Sequence, residues 1–446
     1  MVTSIIGKIL VNAYNEKYDS NYSIEDFFLK IFYPLFFDHP KYMMTAGNSP
    51  FENPKIKWDD MLKGKIPYET KEQRKIRLDK FLNKIGEIGA DASTAIGYFS
   101  TDSMATTSGQ VTDMAIDIDR DSIFSSWIGH GLGLGVKGGI NILFNDKRIL
   151  LDIFEGWKYY RDSLNKTKIL KGNQINTWNT QWLYHKYSRL YQKTNEMAGF
   201  NPYSNIENMM VLDSITWTKL LINISRKYND VQMMAYLYNI GQTNTTYGFI
   251  PFLLNEIRRP IDLYNKLFRF IGNNNNSIED LYSIEDLYGT AFGLSESCKF
   301  GVIGLKALEP KGVKDYIYPK TDQSINKKTI NDYKKNEIKY QTYLTWILAM
   351  LNNEELWGKS REYATVLHKF VSENDKKIST KRGNIVDKIL TSSNKKNLIS
   401  GLTEILEESS KIEGIVDFAR EVNLMTMDNV PYFITLIRFH FYSMNE

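Results

Sequence analysis

The chain has 446 residues, with 56 Lys plus Arg against 52 Asp plus Glu and a formal net charge of +4. Hydrophobic residues make up 42% and charged residues 24%, with 28 glycines and 11 prolines, which excludes a disordered or fibrous chain and gives room for two or three domains with real cores. One cysteine, Cys298, excludes an internal disulfide and any Cys-based zinc site, and His39, His130, His185, His368 and His440 lie far apart, so no metal and no cofactor is expected.

The first 90 or so residues read as helical. Ser23-Ile-Glu-Asp26 is a helix cap ahead of the aromatic run FFLKIFYPLFF (27–37), which is 11 residues long and broken by Lys30 and Pro34. Spanning a bilayer takes about 20 apolar residues, so no membrane segment is expected, and MVTSIIGKIL lacks the pattern of a secretory signal. A cytoplasmic protein follows as the default. The stretch 39–69 holds four prolines and reads as a long ordered loop. Thr70-x-x-Gln73 is a capping box for a helix that places Leu78, Phe81, Leu82 and Ile85 on one face and Arg77, Lys80 and Lys84 on the other.

From about 91 to 155, TAIGYFS, VTDMAIDID and INILF predict the sheet region, and 156–270 read as helical and rich in aromatic residues. Four asparagines at 273–276 precede SIEDLY, present at 277–282 and again at 283–288, a repeat too short for a solenoid unit and expected as a surface loop extension. Lys299 to Lys339 carries ten lysines against five acids. Beyond it, Leu398, Ile399, Leu402, Ile405 and Leu406 form an apolar stripe that Ile412, Ile415, Val416 and Ala419 continue. The expected fold is therefore α+β: a mixed N-terminal part over 1–272, a linker and basic segment over 273–340, and a C-terminal helical bundle over 341–446.

Gly133-x-Gly135-x-x-Gly138 matches a dinucleotide fingerprint, but that site needs a helix after the glycines, and GINILFNDKRILLDI reads as strands and turns. The default is a glycine loop that another backbone approaches closely, with Lys137 able to hold a phosphate. Asp117, Asp119 and Asp121 alternate, so in a strand they would share one side, either as a metal-binding set or as a solvated edge. Asp152, Glu155 and Lys158 have the residue types of a metal nuclease but read as well as an ion-paired surface turn. In Lys171-Gly-Asn-Gln-Ile-Asn-Thr-Trp-Asn179, four amides beside an indole could read base edges or could cap helices and loops. Separated basic patches, amide-rich loops and the absence of a catalytic constellation favour a binding subunit over an enzyme. Gln110, Asn173, Gln174, Asn176 and Asn179 are the candidates for base or backbone contacts, and Arg77, Lys80, Lys84, Lys137 and Lys171 for phosphates.

The order of Thr107-Ser-Gly-Gln-Val111, the SWIGHGLGLGVKGGINILF block (126–144), Phe154-Glu-Gly-Trp-Lys-Tyr-Tyr-Arg161, KGNQINTWN and the closing YFITLIRFHFY resembles the large subunit of type I CRISPR-Cas surveillance complexes (Cascade), in the subtype I-B or I-A branch. The resemblance implies a non-catalytic protein that checks the PAM of double-stranded target DNA beside the guide RNA, within an assembly of backbone, handle-binding and small subunits that recruits a helicase-nuclease. The helical tail would correspond to the small-subunit-like tail of that family. Some relatives carry paired cysteine ligands that this chain lacks, so a structural zinc does not carry over. The competing reading is a metal-dependent defence nuclease or nucleotide-dependent effector built on Asp117, Asp119 and Asp121.

Overall fold

A computed structural model of the chain describes residues 1–52, 56–88, 91, 93–98, 118–228, 232–239, 245–269, 285–288, 291–318, 337–372, 376–409 and 412–444. The fold is α+β, with helices throughout, a four-stranded antiparallel sheet and a separate two-stranded one. Two compact units form, residues 1–254 with 294–303 and residues 255–293 with 304–446, where the sequence expectation set boundaries at 272 and 340. Among the described residues no helix is long and apolar enough to cross a membrane.

The long helices of the first unit are α1 (Val2–Tyr18), α2 (Lys71–Ile88), α3 (Arg120–His130), α4 (Lys147–Lys166), α5 (Ile175–Lys186) and α6 (Trp217–Lys227). Helices α1 and α3 cross almost backbone to backbone. A Cβ on Gly7 would stand 2.0 Å from the Ser125 carbonyl oxygen, and one on Gly129 would stand 1.9 Å from that of Thr3. Only glycine permits that approach. Buried hydroxyls then satisfy the polar groups at the crossing: Ser4 donates to the Ser122 carbonyl at 2.7 Å and Thr3 to that of Ile96 at 2.8 Å.

The aromatic run packs against this pair. Phe28, Phe32, Phe36 and Phe37 are fully buried, and Phe37 stacks on Phe51 with centroids 4.4 Å apart. Each ring so buried contributes about 2–3 kcal/mol. The capping box forms as expected: Thr70 N–H donates to Gln73 Oε1 at 2.8 Å and Gln73 N–H to Thr70 Oγ1 at 3.3 Å. Asp146 caps α4 by accepting from the Arg148 and Ile149 amides. That helix lays Gly156 against Trp182 of α5, and the Trp178 indole donates to the Gly156 carbonyl at 2.9 Å. Where α4 ends, the buried Lys41 ammonium donates to the carbonyls of Thr167 (2.7 Å) and Lys168 (2.8 Å), and burial lowers its pKa to about 8.

The sheet has strand order β1 (Leu134–Val136), β2 (Ile140–Phe144), β5 (Gln232–Asn239), β6 (Thr245–Leu253), all antiparallel. A hairpin of β3 (Tyr203–Ile206) and β4 (Met209–Leu212) turns through Glu207 and Asn208, both at positive φ, the backbone a two-residue hairpin turn requires. Among the described residues, the expected sheet region thus holds β1 and β2 alone. The other four strands lie in 156–270, which the sequence reading made helical. VTDMAIDID lies mostly outside the described residues, and its end is not a strand: Asp119 caps α3 and Asp121 sits in that helix's first turn.

The second unit is helical: α7 (Leu254–Tyr264, all but its first residue), α8 (Glu337–Leu351), α9 (Glu355–Val371), α10 (Lys376–Leu390), α11 (Lys395–Glu408), α12 (Ile415–Leu424) and α13 (Val430–Ser443). Tyr363 of α9 stacks on Phe418 of α12 at 4.5 Å, and Lys359 pairs with Glu421 at 2.7 Å between the same helices. Leu398, Leu402 and Ile405 are buried as the stripe requires, whereas Leu406 and Val416 are exposed and Phe418 and Val422 face the core instead. The described end of the second SIEDLY copy is also internal: Glu285 and Tyr288 are buried, so this part is not a surface extension.

Candidate nucleic-acid interface

The four amides of KGNQINTWN are turned into the protein. Asn179, fully buried, donates to the carbonyls of Gly131 (2.8 Å) and Gly133 (3.0 Å), and Asn176 donates to those of His130 (3.3 Å) and Gly133 (3.1 Å). Gln174 Oε1 accepts from the Leu212 amide at 3.3 Å. Asn173, at φ 57°, is placed so that its amide bridges the Tyr42 and Met44 carbonyls and the Trp58 indole N–H, each at 3.0 Å. These groups hold loops together rather than present an edge to a base, the structural alternative that the sequence left open. Gln110 lies outside the described residues.

Most of the proposed cations are also engaged. Lys171 pairs with Asp59 at 3.0 Å. Arg77 pairs with Glu69 at 2.6 Å and donates to the Pro50 carbonyl at 3.2 Å. Lys84 reaches Asp91 at 3.7 Å and donates to Ser93 Oγ. Arg77 and Lys84 therefore do not form the open basic face with Lys80 that helical spacing predicted. Their partners sit on loops flanking α2, which spacing within the helix cannot reveal. Lys80 and Lys137 are exposed, with no ion pair among the described residues.

Lys137 has the more distinctive setting. Helix α3 ends at His130, and the glycines that follow let β1 pass beneath α5: a Cβ on Gly133 would lie 2.5 Å from Asn176 Nδ2, and one on Gly135 would lie 3.1 Å from Asn176 Cβ. The chain then turns back through Lys137, Gly138 (φ 101°) and Gly139 (φ 79°) into β2. All three turn residues are exposed, and nothing lies within 4 Å of a Cβ built on Gly138. The Lys137 amide is fixed by the Ile215 carbonyl at 2.8 Å, which holds the turn in place. A helix does not follow the glycines, so the dinucleotide arrangement is not made, and the close-approach reading describes this run.

Beside the turn stand Asn239, which closes β5, and Thr245 and Thr246, which open β6. None of the residues of β1, β2, β5 and β6 carries a charge. The sequence reading missed these neighbours because it made 156–270 helical. The missed signal is TTYGFIPFL at 245–253, rich in the β-branched and aromatic residues that strands favour. The His130 ring, beneath the glycines, is neutral: burial lowers its pKa to about 4, and Nδ1 lies 3.3 Å from the Tyr238 hydroxyl.

Asp119 accepts the Ser122 amide at 2.5 Å, and Lys8 approaches it at 3.8 Å, so this carboxylate is held below its usual range by its hydrogen bonds. Asp117 lies outside the described residues. Asp152 and Glu155 share Lys186 at 2.8 and 2.5 Å, and Asp152 also accepts the Tyr187 hydroxyl at 2.6 Å, while Lys158 points away over the Tyr159 ring. Among the described residues, no group of three or more His, Cys, Asp or Glu side chains is placed to hold a metal ion. Compared with protein-family models, curated proteins and solved structures, the chain matches none.

Proposed function

We propose that the chain is a non-catalytic nucleic-acid-binding subunit of a guide-RNA-directed assembly, of the large-subunit kind found in type I CRISPR-Cas surveillance complexes, acting at the PAM-bearing duplex. The observation that carries the reading is the turn at Lys137–Gly139, an exposed cation with no counter-charge among the described residues beside a glycine that leaves the backbone open to a phosphate. Support also comes from the order of the chain, an α+β unit followed by a helical one, as the resemblance implies. The amides of 173–179 have no part in this reading, because their hydrogen bonds are spent inside the fold.

The test is fluorescence anisotropy of labelled RNA and DNA against the purified full chain, repeated over a range of salt concentrations. Binding that weakens steeply with salt is expected, and Lys137→Ala should lower the salt slope by about 1, the mark of one lost phosphate contact. A slope that does not change on that substitution would remove the turn from the interface. Affinity purification from the native host should recover partner subunits with a guide RNA of uniform length, and a well-expressed bait that brings down neither refutes the assembly role.

A further inference from the structure

The face of the sheet that continues from this turn carries rings open to solvent. Along β5 the side chains of Met233, Ala235 and Leu237 point into the core and are buried, whereas Met234, Tyr236 and Tyr238 point the other way. Tyr238 is the foot of this second row, buried beside His130. Tyr236 stacks on it with centroids 5.7 Å apart and meets Phe249, its cross-strand partner on β6, at 5.2 Å. Phe249 is 62% exposed and Met234 43% exposed. Helix α5 reaches this face through Asn176 over Gly133 and Gly135, and Leu143 of β2, in register with Tyr236, is buried, so the open part of the face is Met234, Tyr236 and Phe249.

We propose that this face, with Phe249 and Tyr236 as its platform, stacks the bases of an unpaired nucleic-acid strand whose backbone is held at the Lys137 turn. The inference rests on the nucleic-acid reading above and adds to the duplex contact a site for an unpaired strand. Three observations favour that occupant. The strands contribute no acid, so none of their side chains repels a polyanion, and Lys137, with no ion pair among the described residues, stands at one end of the row. Asn239 lies beside the turn and Tyr236 three residues further along β5, roughly 10 Å at about 3.3 Å per residue, a span that a few nucleotides bridge. The edge of β6 is occupied at its end: Ile303 N–H donates to the Pro251 carbonyl at 2.9 Å and Leu253 N–H to the Ile303 carbonyl at 2.8 Å, so a peptide cannot add as a further strand over Pro251–Leu253. The exposed rings beside that end offer stacking instead, which bases use without sequence preference.

The experiment compares an oligothymidylate of about 15 nucleotides with a duplex of the same length, each labelled and titrated with the full chain, its Phe249→Ala and Phe249→Trp variants, and Lys137→Ala. Phe249→Ala should weaken single-strand binding about five-fold or more and leave duplex binding unchanged, Phe249→Trp should retain it, and Lys137→Ala should weaken both ligands. Because Phe249 is exposed, the variants should keep the parent's circular dichroism and unfolding midpoint, which separates lost stacking from lost fold. Equal single-strand affinity for the parent and Phe249→Ala overturns the inference while leaving the phosphate contact at Lys137 standing. Loss of self-association in Phe249→Ala, with oligothymidylate affinity unchanged, assigns the face to a protein contact and overturns it equally. No binding of either oligonucleotide by the parent ends both this inference and the functional proposal.

Discussion

Asn179 donates one amide to the backbone carbonyl of Gly131 at 2.8 Å from a side chain with no exposed surface. Its second hydrogen bond, to Gly133, lets one residue of α5 fix both bends of the glycine segment. Asn179→Ala leaves the Gly131 carbonyl without its donor, at about 1–3 kcal/mol, while the Gly133 carbonyl keeps the Asn176 amide. The urea midpoint should fall accordingly, while the fraction still folded should bind oligonucleotide with parental affinity. A selective loss of binding at unchanged stability would return this amide to the interface.

The α1–α3 crossing sets a second expectation. Gly129→Ala places a methyl group 1.9 Å from the Thr3 carbonyl oxygen, and backbone on both sides cannot yield as a flexible side chain would. The helices must separate, at a cost of about 3 kcal/mol or more. Gly138→Ala, by contrast, meets nothing within 4 Å and pays only for its φ of 101°, about 1 kcal/mol. Thermal unfolding of the two variants side by side checks this, and equal shifts in Tm would mean that the crossing relaxes.

Acid should destabilise the protein before its carboxylates titrate. His130 and His440 are lowered to about 4 chiefly by burial, so the folded state keeps them neutral. The unfolded chain takes up these protons near pH 6.5. It therefore binds more protons than the folded state between about pH 6.5 and 4, and stability falls as pH drops through that window. For His130 alone the full loss is about 3 kcal/mol. Urea midpoints at pH 7 and pH 5 measure it. His130→Leu should flatten the dependence, and an unchanged slope would exclude this ring as a source.

What the sequence disclosed follows from the range of each interaction. Thr70 and Gln73 are three residues apart, so their capping box is visible in the text and present in the fold. The stripe Leu398, Leu402, Ile405 is local in the same way. Strand β5 is harder, because QMMAYLYN is built from residues that helices also use and its alternation shows only once β2 and β6 flank it. The surroundings of the candidate residues are hidden by range as well. Lys171 is neutralised by Asp59, far off in sequence, and whether Asn176 and Asn179 face solvent or the carbonyls of 130–133 depends on where α5 packs. The glycine run was legible as a close approach, but which backbone or side chain comes close is a tertiary fact.

Arg438 carries the last expectation. Its guanidinium is buried with no ion-paired carboxylate among the described residues: Nη2 donates to the Tyr316 carbonyl at 2.6 Å and to Thr435 Oγ1 at 3.1 Å, and Nη1 to the Leu390 carbonyl at 3.3 Å. Burial lowers its pKa from the usual value, yet a planar fork can serve several carbonyls at helix ends that no single-point donor reaches together. It thereby ties α13 to the end of α10 and to the short helix Val313–Ile317. Arg438→Met removes the desolvated charge but strands those carbonyls, and a net loss of about 2–3 kcal/mol is expected. Arg438→Lys keeps the charge without the fork and should be nearly as costly. Urea unfolding of the full chain distinguishes the cases: if lysine restores the parental midpoint, charge rather than geometry holds these helix ends, and if methionine is neutral, the clamp contributes nothing to stability.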